Sequence, residues 1–135
     1  MPEIWIKVGS KETERFIAIH ELKMDSSMAK CLPTFHALTG CDTTSQFVGM
    51  GKKTCWKMFL SHHNLLSNVG INDNLEDDFN KMVKFVMRFY TNNQNIYCIN
   101  DLRVILASSK PISKLPPTLD SLKQHCLRVH YQTKI

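Results

Sequence analysis

The sequence predicts a mainly α-helical domain with a small β segment at its N-terminus. Two short runs rich in β-branched and aromatic residues, Ile4-Trp5-Ile6-Lys7-Val8 and Arg15-Phe16-Ile17-Ala18-Ile19-His20, stand close together near the start and have the composition of strands. Further on, Leu75, Phe79, Met82, Val83, Val86, Phe89 and Tyr90 recur at intervals of three and four, the period of one buried helical face. With 135 residues and 15.6 kDa, the chain has room for one core of ordinary size and not for two. A single domain over 1–135 is expected, with the β segment in 1–24, a central helical region in 25–63 and C-terminal helices in 74–135.

The elements follow in order. The polar stretch Gly9 to Glu14 separates the two apolar runs, so two strands joined by a turn are expected. From Asp25 or Ser26 a helical pattern places Met28, Cys31, Leu32, Phe35 and Leu38 on one face, with Gly40 just past its end; Pro33 is expected to kink or divide it. Gly49-Met50-Gly51 opens a short helix from Lys52 to about Ser61, with Cys55, Met58 and Phe59 on its inner side. Asn74 caps the long amphipathic helix. Glu76, Asp77 and Asp78 fall in its first turn, where the helix dipole favours negative charge, and a solvated acidic cap is expected rather than a metal cluster. Thr91 to Asn95 reads as a loop, and a short helix is expected from Asp101 to about Ser108. Beyond the extended Lys110-Pro111 and Pro116-Pro117 pairs, Thr118 caps a last helix through Leu119, Leu122, Cys126 and Val129.

Composition bounds the function. Hydrophobic residues at 43% and charged residues at 21% exclude a disordered chain. The longest unbroken apolar stretches, such as Val104-Ile105-Leu106-Ala107, are far shorter than the about 20 residues of a membrane helix. Met1 to Lys11 lacks the apolar block and cleavage site of a secretory signal, which predicts an intracellular protein. Lys and Arg total 17 against 12 Asp and Glu, a formal charge of +5, and this balance favours polyanions. The cysteines Cys31, Cys41, Cys55, Cys98 and Cys126 are odd in number and form no C-x-x-C pair, so buried reduced thiols are expected. Neither the His62/His63 pair nor the His125/His130 pair has the spacing that sets two imidazoles on one helical face for zinc.

The stretch Leu38 to Phe59 carries the chemistry. A Gly-x-Gly turn running into a helix leaves backbone N–H groups unpaired and lets a phosphate approach without obstruction from a Cβ. Lys52 and Lys53 add positive charge there, and Lys53 and Lys57, four apart, share a face. Asp42 lies seven residues before the glycine pair, after an apolar helix and a glycine turn.

The string from Leu38-Thr39-Gly40-Cys41-Asp42 through Gly49-Met50-Gly51-Lys52-Lys53-Thr54-Cys55 resembles the metal-binding aspartate and helix-turn-helix of flap endonuclease-like nucleases, members of the PIN-like superfamily. Leu32-Pro33-Thr34-Phe35-His36-Ala37-Leu38-Thr39-Gly40-Cys41-Asp42-Thr43-Thr44-Ser45 and the segment Leu115-Pro116-Pro117-Thr118 to Tyr131-Gln132 are similar to the C-terminal half of uncharacterised mobile-element-associated animal proteins that carry this nuclease domain. The resemblance implies a partial α/β flap endonuclease-like domain with a helix-turn-helix and a Gly-x-Gly-Lys-Lys turn. It also implies that Asp42 is a metal ligand for Mg²⁺, and that Gly49, Gly51, Lys52, Lys53 and Lys57 grip the phosphate backbone of duplex DNA. Cys55 replaces the family's usual alanine, and Thr43 its frequent tyrosine.

The family's other acidic ligands, a Glu-Ala-Asp segment and an Asp-x-Asp strand end, have no match here. Two-metal phosphodiester hydrolysis needs several carboxylates around cations about 3.5–4 Å apart, so the resemblance implies a truncated, catalytically incomplete domain that binds DNA without sequence preference. Mg²⁺ at Asp42 would be weak and completed by substrate phosphates. On that reading the location is nuclear rather than cytoplasmic. The competing reading is a protein-interaction or structural remnant, in which an edge strand at Ile4 to Val8 or Arg15 to Ile19 is covered by a homodimer or another protein.

Overall fold

A computed structural model describes residues 2–21, 23–40, 51–71 and 74–133. The architecture is mainly helical with a small N-terminal two-stranded sheet. Strands β1 (Trp5–Val8) and β2 (Arg15–Ala18) pair antiparallel, Trp5 opposite Ala18 and Val8 opposite Arg15. Among the described residues five α-helices follow: α1 (Ser26–Thr39), α2 (Lys52–His62), α3 (Leu75–Met87), α4 (Ile99–Ala107) and α5 (Leu119–Thr133). Short 3₁₀ turns occupy Ile19–Glu21, His63–Leu66 and Ile112–Lys114.

Local rules account for most boundaries. Asp25 caps α1 through Ser27, Asn74 caps α3 through the backbone N–H of Asp77, and the Thr118 hydroxyl accepts from the N–H of Ser121 at the start of α5, each satisfying a donor that the first turn leaves open. Of the two effects expected of Pro33, division does not occur, for α1 runs unbroken past it. Pro33 and Ala29, whose carbonyl loses its partner to the proline ring, are both exposed, so water can solvate the broken position. Meanwhile Cys31, Phe35 and Leu38 stay buried on the inner face, and their packing holds the helix through the proline. Helix α3 stops at Met87, short of Tyr90, and α4 begins at Ile99, two residues before the expected start. Ile99 is fully buried, and its burial pulls the chain into the helix earlier than the polar Asn100 and Asp101 suggest.

The core is one cluster. Leu38 of α1, Phe59 of α2, Met82, Phe85 and Val86 of α3, Leu102 of α4, and Leu122, Cys126 and Val129 of α5 are all buried together. Phe59 lies 4.6 Å from Phe35 and 5.2 Å from Trp56, centroid to centroid, so three aromatic rings join α2 to α1. Burial pushes the thiols of Cys31 and Cys55 up and that of Cys126 up to about 12; these are protonated, unreactive thiols, free of disulfides.

Two polar contacts fix the packing more specifically than the apolar ones. The first concerns the acidic triplet: Glu76 and Asp77 are exposed as expected, but Asp78 is 1% exposed. Its Oδ2 accepts from His130 Nδ1 at 2.7 Å and from the backbone N–H of Gly70 at 3.0 Å. Three consecutive helical positions sweep about 200° of the helix circumference, so one of the three turns inward. Gly70 fits its place by having φ +83°, and a Cβ there would meet the Thr133 carbonyl oxygen at 2.8 Å.

In the second contact, buried His125 on α5 donates from Nε2 to the Leu38 carbonyl at 2.7 Å. Burial, partly offset by that hydrogen bond, holds the His125 pKa below the ordinary imidazole value of 6.5. The unfolded chain therefore takes up this proton more readily than the native one, so stability falls as pH drops through the mid-sixes toward the depressed native value. Urea midpoints measured from pH 8 down to 5 are expected to show this fall, and His125→Asn, which keeps an amide donor, to flatten it.

Candidate nucleic-acid interface

Helix α2 opens differently from α1, α3 and α5. Its N-cap is Gly51, which supplies no side chain, and among the described residues nothing stands within 4 Å of a Cβ built there. Asp42 and Gly49 lie outside the described residues, as does the remainder of the glycine-spaced turn up to Met50.

The three lysines of the motif separate into two roles. Lys52 turns back onto the C-terminus of α1, where its Nζ donates to the His36 carbonyl at 3.1 Å, the Gly40 carbonyl at 2.9 Å and the Thr39 hydroxyl at 2.6 Å. It also stands 5.3 Å from the centre of the Phe35 ring, within cation–π range. Terminal helix carbonyls are otherwise unsatisfied and carry the negative end of the dipole, so Lys52 clamps α2 to α1 and sets the angle between them. Lys52→Ala is expected to cost about 1.5–3 kcal/mol, the range for hydrogen bonds to a charged group, read as a lower urea midpoint at unchanged slope.

Lys53 and Lys57 face outward and are exposed. They stand four apart on α2, and Ser61 continues the same row by one more turn. Ser61 forms one wall of a cleft of about 490 Å³ between the end of α2, the end of α3 and residues 94–97. His62, Lys84 and Arg88 line this cleft together with Asn64, Gln94 and Tyr97, and among the described residues no carboxylate does. Tyr97 is 84% exposed at its rim.

A basic track thus runs from the N-terminus of α2, over Lys53 and Lys57, into a cleft carrying Lys84 and Arg88. Sequence reasoning found the first half through the glycine-lysine motif. It missed Lys84, Arg88, His62 and Tyr97. The i, i+4 spacing of Lys84 and Arg88 on the polar face of α3 was a signal in itself, but only the fold brings that face beside the end of α2.

Among the described residues, no three His, Cys, Asp or Glu side chains come together as a set that could hold a metal ion. The buried Asp78–His130 pair is spent on packing α3 to α5. Among the described residues, no helix is long and apolar enough to cross a membrane. A scan against protein-family models and searches of curated proteins and solved structures find no match to this chain.

Proposed function

We propose that this chain is a flap endonuclease-like, PIN-like domain that binds duplex DNA through its phosphates, without sequence preference, along the track from Gly51 through Lys53 and Lys57 to Lys84 and Arg88. The observation that carries the reading is the continuity of that track: a helix start whose N-cap is glycine, two outward lysines on one face, and a cleft whose charged lining is cationic. Backbone N–H groups at a helix start and lysine ammonium groups both suit phosphate oxygens. Neither reads a base edge, so affinity is set by charge and salt rather than by sequence.

Within this reading Lys52 is a positioning residue. Its contacts hold α2 against α1 and so set where the row of Gly51, Lys53 and Lys57 lies, while the latter two carry the phosphate contacts. Asp42 is the proposed point of attachment for Mg²⁺ shared with a DNA phosphate. The function proposed is binding, with no hydrolytic step.

The test is a fluorescence-anisotropy titration of labelled duplexes of unrelated sequence at several salt concentrations. The wild-type chain is compared with Lys53→Gln/Lys57→Gln and Lys84→Gln/Arg88→Gln. Equal affinity for all duplexes and a separate loss in each double variant are expected. Absence of binding by the folded chain would overturn the proposal in favour of a protein-interaction role.

A further inference from the structure

The least explained part of the molecule is the hairpin. Ile4, Trp5, Ile6 and Phe16 are each 46–60% exposed, and a two-stranded sheet left on its own is marginal in water. Its backbone shows which edge is open. The Ile4 carbonyl accepts from the Ile19 N–H at 2.8 Å, and the Ile4 N–H donates to His20 Nδ1 at 3.0 Å. Ile4 therefore turns both backbone groups toward the second strand. By strand alternation Ile6 and Val8 do the same, while Trp5 and Lys7 turn theirs to the opposite edge, in step with Glu3. Among the described residues no strand pairs with that edge.

We propose that the open edge of β1 pairs antiparallel with the same edge of a second copy of this chain, about a two-fold axis at Trp5, to give a four-stranded sheet. Three features select this occupant and this register. A two-fold axis at Trp5 sets Trp5 opposite Trp5 of the second copy and Glu3 opposite Lys7, so every outward backbone group meets another outward group, as a ladder requires. Opposite charges then face each other at both ends of the pairing. Shifting the register by one step either way that keeps the ladder places Trp5 opposite Glu3 or opposite Lys7 and loses both charge pairs; centring it on Lys7 sets like charges together. Lys7 already meets Glu14 of its own hairpin at 3.2 Å, so the pairing extends this to an alternating row of Glu14, Lys7 and Glu3 across three strands.

The apolar residues agree with the charges. Ile6 stands opposite Ile17 in the hairpin, and the Ile4 carbonyl meets Ile19. The same two-fold sets Ile4 beside Ile6 of the second copy, joining two isoleucine groups into one continuous face. Within β2 the outward residues are Phe16 and Ala18, which carry no charge, and the next in step are already engaged within the hairpin, Glu14 by Lys7 and His20 by the Ile4 N–H.

Sedimentation velocity of the full chain over a wide concentration range, without nucleic acid, tests the proposal independently of DNA binding. The expected result is a concentration-dependent shift from 15.6 kDa to twice that mass. Lys7→Glu sets like charges opposite each other at both ends and is expected to raise the dimer dissociation constant by at least about tenfold. Combining it with Glu3→Lys exchanges the charges and is expected to restore the dimer. Circular dichroism of each variant confirms that the helices are intact. A chain that stays monomeric, a dimer indifferent to Lys7→Glu, or a double variant that fails to recover would each overturn the pairing.

Discussion

Replacing Asp78 by alanine is expected to remove about 2–6 kcal/mol of stability, because it leaves two buried donors without an acceptor at about 1–3 kcal/mol each. The carboxylate is 1% exposed and its partner imidazole, on His130, 4%, so water replaces neither contact when one is lost. Two groups are orphaned at once, His130 Nδ1 and the Gly70 N–H, because both donate to the same oxygen. The three residues come from α3, α5 and the segment leading to α3, and the substitution releases all of them. Domains of this size hold about 5–15 kcal/mol in total, so a substantial share of it is at stake. Asp78→Asn keeps an acceptor oxygen of the same shape and is expected to cost less. Urea unfolding followed by circular dichroism at neutral pH measures both. An Asp78→Ala loss below about 1 kcal/mol, the level of exposed ion pairs, would show that the pair does not carry this packing.

The fold was legible in the sequence wherever a local pattern and the tertiary structure ask for the same thing. The Asn74 cap, the apolar face of α3 and the Thr118 cap of α5 are where periodicity and capping place them. The hairpin follows from its two β-branched runs. Misreadings arose where long-range contacts override a local rule. Pro33 is a helix breaker by its own chemistry, yet it sits on the solvent side of a helix whose other face is held by Phe35 and Leu38. Asp78 looks like its neighbours Glu76 and Asp77 until a histidine 52 residues later is seen to reach it.

The candidate site follows the same division. Gly51, Lys53 and Lys57 belong to one short segment, and sequence spacing suffices to set the two lysines on one face. The role of Lys52 was hidden because its acceptors lie 12–16 residues upstream on another helix. A lysine beside a glycine turn offers no local sign of whether it points to solvent or back to a helix terminus. The second half of the track is hidden for a similar reason: Lys84 and Arg88 also sit where cations suit the C-terminal end of α3, so the pattern alone does not distinguish a dipole partner from a phosphate contact.

The salt dependence of DNA binding separates those two roles for Lys84 and Arg88. If Lys53, Lys57, Lys84 and Arg88 each neutralise one phosphate, the slope of log affinity against log salt is about −0.9 for each contact, or roughly −3.6 in all. Affinity then falls on the order of 10²-fold between 50 and 200 mM salt. Lys53→Gln/Lys57→Gln is expected to reduce the slope by about 1.8, and Lys84→Gln/Arg88→Gln by about the same, because each pair removes two contacts. The two losses should add, since a polyanion spanning the track meets the pairs at separate points. Should Lys84 and Arg88 serve only the end of α3, their double variant would lower the urea midpoint and leave the salt slope unchanged. Lys52→Ala provides the opposite control: its ammonium is engaged by α1, so it should weaken binding and folding together with little change in slope. A slope that fell by a full unit in that variant would return Lys52 to the phosphate contacts and place the grip at the helix start rather than along the track.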